Sequence, residues 1–203
     1  LSGAETIGDL QNLIDSADLG IRLEVEQDGT LSMFNEVSGT WMSVGEDGGD
    51  TATLLGLRSM GLDTPLSVFN DGDGVPVRSG SVDPETGLPN AAADVDFTIS
   101  LADGRSFEVD LAGIETVGDV LAALRAAAGA ATPPIGPAEF TAELATTGNG
   151  IVLTDNSGGV TGTFTVTPAN GSRAAQALGL LAPVSGNVIS GEDRSMVAVE
   201  SLF

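Results

Sequence analysis

Two stretches of this chain follow one pattern, and any fold must accommodate that pattern twice. Ile114-Glu115-Thr116-Val117-Gly118-Asp119-Val120-Leu121 parallels Ala4-Glu5-Thr6-Ile7-Gly8-Asp9-Leu10-Gln11. In each, a Thr stands three residues ahead of an Asp and an apolar stripe follows. A Thr at the N-cap accepts from a free backbone N–H of the first turn, and an acid at the third helical position suits the positive end of the helix dipole. The stripe Val117, Val120, Leu121, Leu124 has helical spacing, as does Ile7, Leu10, Ile14, with Leu13 widening the face. Thr6 with Asp9 and Thr116 with Asp119 therefore mark two helix starts, and helices are expected over 6–16 and 116–128.

A second matched pair lies further on. Gly171-Ser172-Arg173-Ala174-Ala175-Gln176-Ala177-Leu178-Gly179-Leu180 resembles Gly48-Gly49-Asp50-Thr51-Ala52-Thr53-Leu54-Leu55-Gly56-Leu57. Each reads as a turn, a short Ala-rich helix and Leu-Gly-Leu. Gly56 and Gly179 fit the left-handed residue that ends a helix. Between the helices of each copy lie strands. Phe140, Ala142 and Leu144 alternate with Thr141 and Glu143, then Gly148-Asn149-Gly150 turns into Ile151-Val152-Leu153, and Ser157-Gly158-Gly159 precedes Phe164-Thr165-Val166. In the first copy Ile21, Leu23 and Val25 alternate with Arg22 and Glu24, Asp28-Gly29 turns into Leu31-Ser32-Met33-Phe34, and Ser38-Gly39 precedes Met42-Ser43-Val44. Alternation with a period of two, bounded by Gly-containing turns, predicts half-buried antiparallel strands.

The second copy also has an opening hairpin. Val95, Phe97, Ile99 and Leu101 face one way, with Asp96, Thr98 and Ser100 opposite. Asp103-Gly104 turns the chain, and Phe107, Val109 and Leu111 return. The first copy has no equivalent, so its missing strands lie upstream or are supplied from elsewhere, residues 188–203 being one source. The fold class predicted is α+β: two related modules of antiparallel strands packed on short helices, the first incomplete at its N-terminus. Module one spans 1–62, a connector 63–94, module two 95–187, and a C-terminal strand 188–203. Ala131-Thr132-Pro133-Pro134-Ile135-Gly136-Pro137 is a stiff loop particular to the second copy. The chain opens almost on a helix signal and closes on the apolar Val197-Ala198-Val199-Glu200-Ser201-Leu202-Phe203, and so reads as the middle of a longer protein.

Composition narrows the chemistry. The 203 residues include 29 acidic and 7 basic ones, for a formal charge of −22, and there is no His or Cys. All the basic residues are Arg. Nucleic-acid phosphates and anionic membranes repel such a chain, so neither is expected as a partner. A Ser-His-Asp triad, a Cys-His pair, an ordinary zinc site and lysine-based Schiff chemistry all lack their residues. Without Cys the fold must be held by packing. No run of about 18 apolar residues is present to span a membrane. The acids fall mainly on turns, helix starts and polar strand faces: Asp28, Glu46, Asp47, Asp71, Asp103 and Asp155 form a coat that favours solubility.

Single candidate sites are weak. The cluster Asn70-Asp71-Gly72-Asp73-Gly74 offers oxygen ligands for calcium, with Asp71 and Asp73 as the candidates, but the EF-hand pattern needs Gly where Val75 stands. Glu46-Asp47-Gly48-Gly49-Asp50 reads as a solvated turn. Paired carboxylates for glycoside hydrolysis would need sugar-stacking aromatics in a chain with seven Phe, one Trp and no Tyr. Gly72-Asp73-Gly74 lacks the third Gly of a dinucleotide fingerprint, Asn170-Gly171-Ser172 coincides with a helix start, Trp41 reads as packing, and the Arg residues are scattered. No catalytic residue, cofactor or resident metal is expected.

In order, Phe97-Thr98-Ile99, Asp103-Gly104, Val109-Asp110-Leu111, Thr116-Val117-Gly118-Asp119-Val120, Gly148-Asn149-Gly150-Ile151-Val152-Leu153-Thr154-Asp155 and Ala174-Ala175-Gln176-Ala177-Leu178-Gly179-Leu180 resemble the flagellin hook IN motif. The first copy is similar to a second such motif, and Asn70-Asp71-Gly72-Asp73-Gly74-Val75 resembles the segment that leads into one. The motif occurs in bacterial flagellar axial proteins, and tandem copies look most like the middle of the flagellin-like hook-associated protein at the hook–filament junction. The resemblance implies a non-enzymatic, structural, extracellular role. It implies as partners neighbouring axial protomers, namely copies of itself, hook-associated proteins and flagellin. The terminal coiled-coil helices of that family are absent here, so this stretch alone is expected to be monomeric. Structural weight then rests on Thr6, Asp9, Gly56, Thr116, Asp119 and Gly179. Two other readings remain at this point: the outer domain of a flagellin or filament cap protein, and a secreted adhesin module that binds calcium at its Asp/Gly turns.

Overall fold

The structure, a computed structural model, describes residues 3–27, 29–38, 42, 44–45, 51–70, 72–146 and 148–194. Leu1, Asp28, Gly39, Trp41, Ser43, Glu46, Asp47, Gly48, Gly49, Asp50, Asp71 and the segment Val197–Phe203 lie outside the described residues. The fold is α+β, with helices beside antiparallel sheets. The described residues divide into two compact units, one up to Ser59 and one from Met60 onward.

The first unit begins with α1 (Ile7–Ser16), followed by β1 (Ile21–Val25) and β2 (Leu31–Asn35). The two strands form an antiparallel hairpin in register Ile21↔Asn35 to Val25↔Leu31. A four-residue helix, α2 (Thr51–Leu54), ends the unit's regular elements. Alternation puts Ile21, Leu23, Leu31 and Met33 on one face of the hairpin, and α1 packs there. Gln11 Nε2 donates to the Leu23 carbonyl at 3.0 Å, which fixes helix to strand. Opposite, Arg22 lies over the Phe34 ring, 5.1 Å from its centre, and pairs with Glu24 and Glu36.

The second unit holds β3 (Phe97–Ser100), β4 (Ser106–Val109), α3 (Val117–Ala130), β5 (Phe140–Leu144), β6 (Ile151–Asp155), β7 (Thr165–Pro168), α4 (Ala174–Ala177), β8 (Val184–Ser185) and β9 (Val188–Ser190). Its strands make two antiparallel sheets, in orders β4-β3-β7 and β5-β6-β9-β8. Because β7 leaves β6 to pair with β3, and β9 returns to take the place beside β6, the chain crosses between the two sheets after β4, after β6 and again after β7. The core lies between them. Phe97, Ile99, Leu101, Val109 and Leu111 from the opening hairpin, Val117, Val120, Leu121 and Leu124 from α3, and Ile151, Leu153 and Leu178 are all essentially inaccessible. Phe107 on β4 meets Phe140 on β5 edge to face, with ring centres 5.1 Å apart.

Residues 63–94 contribute to this core, since Leu66 and Phe69 are buried in it. The same segment serves α3. Val117 N–H donates to the Thr64 carbonyl (3.0 Å) and Gly118 N–H to the Leu62 carbonyl (2.8 Å), satisfying two donors that a helix start leaves free. Within the segment 188–203, β9 adds to the sheet of β6.

Candidate functional site

The two helix starts have matching geometry. Asp9 N–H donates to Thr6 Oγ1 at 3.1 Å, while Thr6 N–H and hydroxyl donate to Asp9 Oδ2 at 3.0 and 2.8 Å. Asp119 N–H donates to Thr116 Oγ1 at 3.2 Å, with Thr116 N–H and hydroxyl on Asp119 Oδ2 at 3.2 and 2.7 Å. Both are reciprocal capping boxes. The Thr6 hydroxyl, backed by the N–H groups of Glu5 and Thr6, holds the Asp9 carboxyl below the usual carboxylate range.

The short helices also end alike. Gly56 has φ +69 and Gly179 has φ +76. Leu57 N–H reaches back to the Ala52 carbonyl at 2.8 Å, and Leu180 N–H to the Ala175 carbonyl at 2.9 Å. This is the six-to-one bond of a Schellman ending, which requires a left-handed residue where Gly stands. A side chain at Gly179 would also meet the Glu192 carbonyl at 2.6 Å.

A third correspondence follows the second strand of each copy. Asn35 Oδ1 accepts from Val37 N–H and Asp155 Oδ1 from Ser157 N–H, both at 2.9 Å. In the second unit the other carboxylate oxygen, Asp155 Oδ2, also accepts from Ala102 N–H at 2.6 Å, at the end of β3. Asp155 is therefore buried (4% exposed) and belongs to the framework, not to an acidic coat. Asp103 departs from that coat as well. Arg105 binds it through Nε (2.6 Å), reaches Glu139 through Nη2 (2.5 Å) and caps the Pro134 carbonyl (3.0 Å). The β3–β4 turn is thereby fastened to the loop before β5. The Arg105 N–H and then its guanidinium hold the Asp103 carboxyl low, and the same guanidinium holds Glu139 low.

Asp96 sits on the nominally polar side of the opening strand and yet is completely buried. Its carboxylate accepts from Arg78 N–H (2.8 Å), Leu111 N–H (3.0 Å) and the Ser172 hydroxyl (2.6 Å), joining three distant segments. A buried polar group is tolerated where protein donors replace water, and three donors do so here. Sequence alternation missed this residue. Its partners come from positions as far apart as 78 and 172, so no local pattern could reveal it.

The turn at 70–74 is shaped by backbone: Asn70 (φ 55), Gly72 (φ 89) and Gly74 (φ 75) are left-handed. Asn70 Nδ2 donates to the Gly74 and Ala177 carbonyls. Asp71 is not described. Asp73 is exposed and lines a cleft with Asn70, Gln176, Arg173 and Arg194. Two of the seven Arg residues thus face one cleft although their sequence positions look scattered. No group of three or more acids gathers as a metal site among the described residues. No helix among them is long and apolar enough to cross a membrane. The chain matches no protein-family model, no curated protein and no solved structure.

These residues act as fasteners. Asp9 and Asp119 close their own helix starts, whereas Asp96, Asp155 and the Arg105 pair with Glu139 tie distant segments together. What recurs is a module: capped helix, β-hairpin, side-chain turn after the second strand, and a helix ended by Gly.

Proposed function

We propose that this chain is a structural component of the bacterial flagellum, the outer middle region of a hook-associated protein that links hook and filament. The observation that carries the reading is the recurrence, at equivalent positions, of the capping boxes at Thr6/Asp9 and Thr116/Asp119 and the Gly-terminated helices at Gly56 and Gly179. Those positions are among the ones that carry the resemblance to tandem flagellin hook IN motifs. The role is non-enzymatic and extracellular, and surfaces do the work: the modules space neighbouring axial protomers and face outward. A net charge of −22 suits a densely displayed exterior, because like charge keeps closely spaced copies apart.

Immunogold labelling of source cells with antibody raised against this chain tests the proposal. Label confined to the flagellum at the hook–filament junction, with filaments lost when the encoding gene is deleted, is the expected result. Label spread over the cell surface and unaltered filaments in the deletion strain would overturn it.

A further inference from the structure

The two units share a module but not its cover. In the second unit the β3–β4 hairpin precedes α3 in sequence and packs over it, with Phe107 on Phe140 and Ala102 N–H on Asp155. Under that cover Val117, Leu124, Phe140 and Leu153 are buried. Their equivalents in the first unit, Ile7, Ile14, Ile21 and Met33, are only half-buried, and Leu13 is 41% exposed. Among the described residues of that unit only Leu10 and Leu23 are apolar and buried. A groove of about 520 Å³ beside Ile7, Leu10 and Leu55 marks part of the shortfall. Apolar surface left in water forfeits the free energy of burial, so this face gains from a cover.

We propose that the face formed by α1 and the β1–β2 hairpin is a docking surface for one occupant: a β-hairpin of the β3–β4 pattern, attached on the N-terminal side of α1. The second unit supplies the argument for both features. It shows which element covers this module, an amphipathic hairpin with apolar side chains at every second position. It also shows where that element is connected, just ahead of the capped helix. The inference rests on the internal repeat and stands apart from the flagellar reading.

The test is a chimera in which a second copy of residues 94–115 is placed directly ahead of Thr6 in the full chain. Amide exchange of α1 and thermal melting of the first unit are followed. The expected result is α1 protection raised at least about tenfold, with the gain removed by Phe107→Ala in the added copy alone. A hairpin of the same composition with its alternation scrambled should give no gain. Unchanged α1 protection, or an equal gain from the scrambled hairpin, would overturn the proposal. Should the chimera precipitate, the hairpin is added as a free peptide to the unmodified chain. Saturable binding that is lost on Ile14→Asp supports the proposal, and no binding at about millimolar peptide overturns it. Concentration-dependent dimerisation of the unmodified chain that protects α1 would assign the face to a second copy and equally overturn it.

Discussion

The first unit and the second unit start from the same local instructions and reach different degrees of closure. Both helices open with a Thr-x-x-Asp box, both hairpins pair five residues with five, and both short helices end at a left-handed Gly. In each, a helix side chain fastens the same strand carbonyl, Gln11 on Leu23 and Arg125 on Ala142. Yet Leu124 is sealed and Ile14 is not. Local chemistry specifies the elements, whereas closure comes from what is laid over them. A ten-residue helix such as α1 is too short to persist in water on propensity alone. Its stability tracks the apolar cover it receives.

Paired substitutions sharpen or break this comparison. Leu124→Ala should cost about 2–5 kcal/mol, and its equivalent Ile14→Ala about 1 kcal/mol, because little is sealed around it. Urea unfolding of the variants measures both, and equal costs would erase the distinction. Next, Asp155→Ala removes acceptors from both Ala102 and Ser157 and should cost about 2–3 kcal/mol, against about 1 kcal/mol for Asn35→Ala, where the shared bond to Val37 N–H is lost.

The two second-position glycines should respond with opposite sign. A Cβ at Gly118 would stand 2.9 Å from the Leu62 carbonyl, so Gly118→Ala destabilises, by about 1–2 kcal/mol. At Gly8 the nearest neighbour is Thr6 Oγ1 at 3.7 Å, and Gly8→Ala stabilises by up to about 1 kcal/mol through helix propensity. Thermal melts of both variants decide the point, and a shift of the same sign in each would contradict the difference in covering between the two helix starts.

Acid should loosen the second unit gradually. Backbone N–H groups of Thr86 and Glu85 hold Asp83 low, and Arg105 contacts hold Asp103 and Glu139 low. Folding therefore favours their ionised forms. The stability they supply is complete above the ordinary carboxylate range and is lost as pH falls through the lowered folded values. Melting temperature followed from pH 7 downward, in salt that screens the net charge, should fall below about pH 4. A flat or rising profile there would contradict the assignment.

Much of the module is legible in the sequence because its signals are local. Thr6, Asp9, Thr116 and Asp119 announce helix starts within four residues, and alternation along Phe97–Leu111 gives the hairpin and its inner face. What depends on distant partners is not legible. Nothing near Thr165 indicates that β7 pairs with β3 and not with β6. Strand alternation assigns Asp96 to the polar face, and only contacts with residues 78, 111 and 172 make it a buried fastener. Asp155 occupies a strand end, where a solvated acid is the ordinary reading, until Ala102 is brought over it. The aligned pair Asn35 and Asp155 does carry a sequence signal, an amide or acid closing the second strand of each copy.

Hydrogen exchange on the intact chain, comparing α1 with α3 in one sample, tests most directly the claim that one module is present twice with its cover only on the second. The account predicts that α3 amides exchange only through unfolding of their whole unit, while α1 amides exchange at least about 100-fold faster through local opening. Equal protection of the two helices would contradict it.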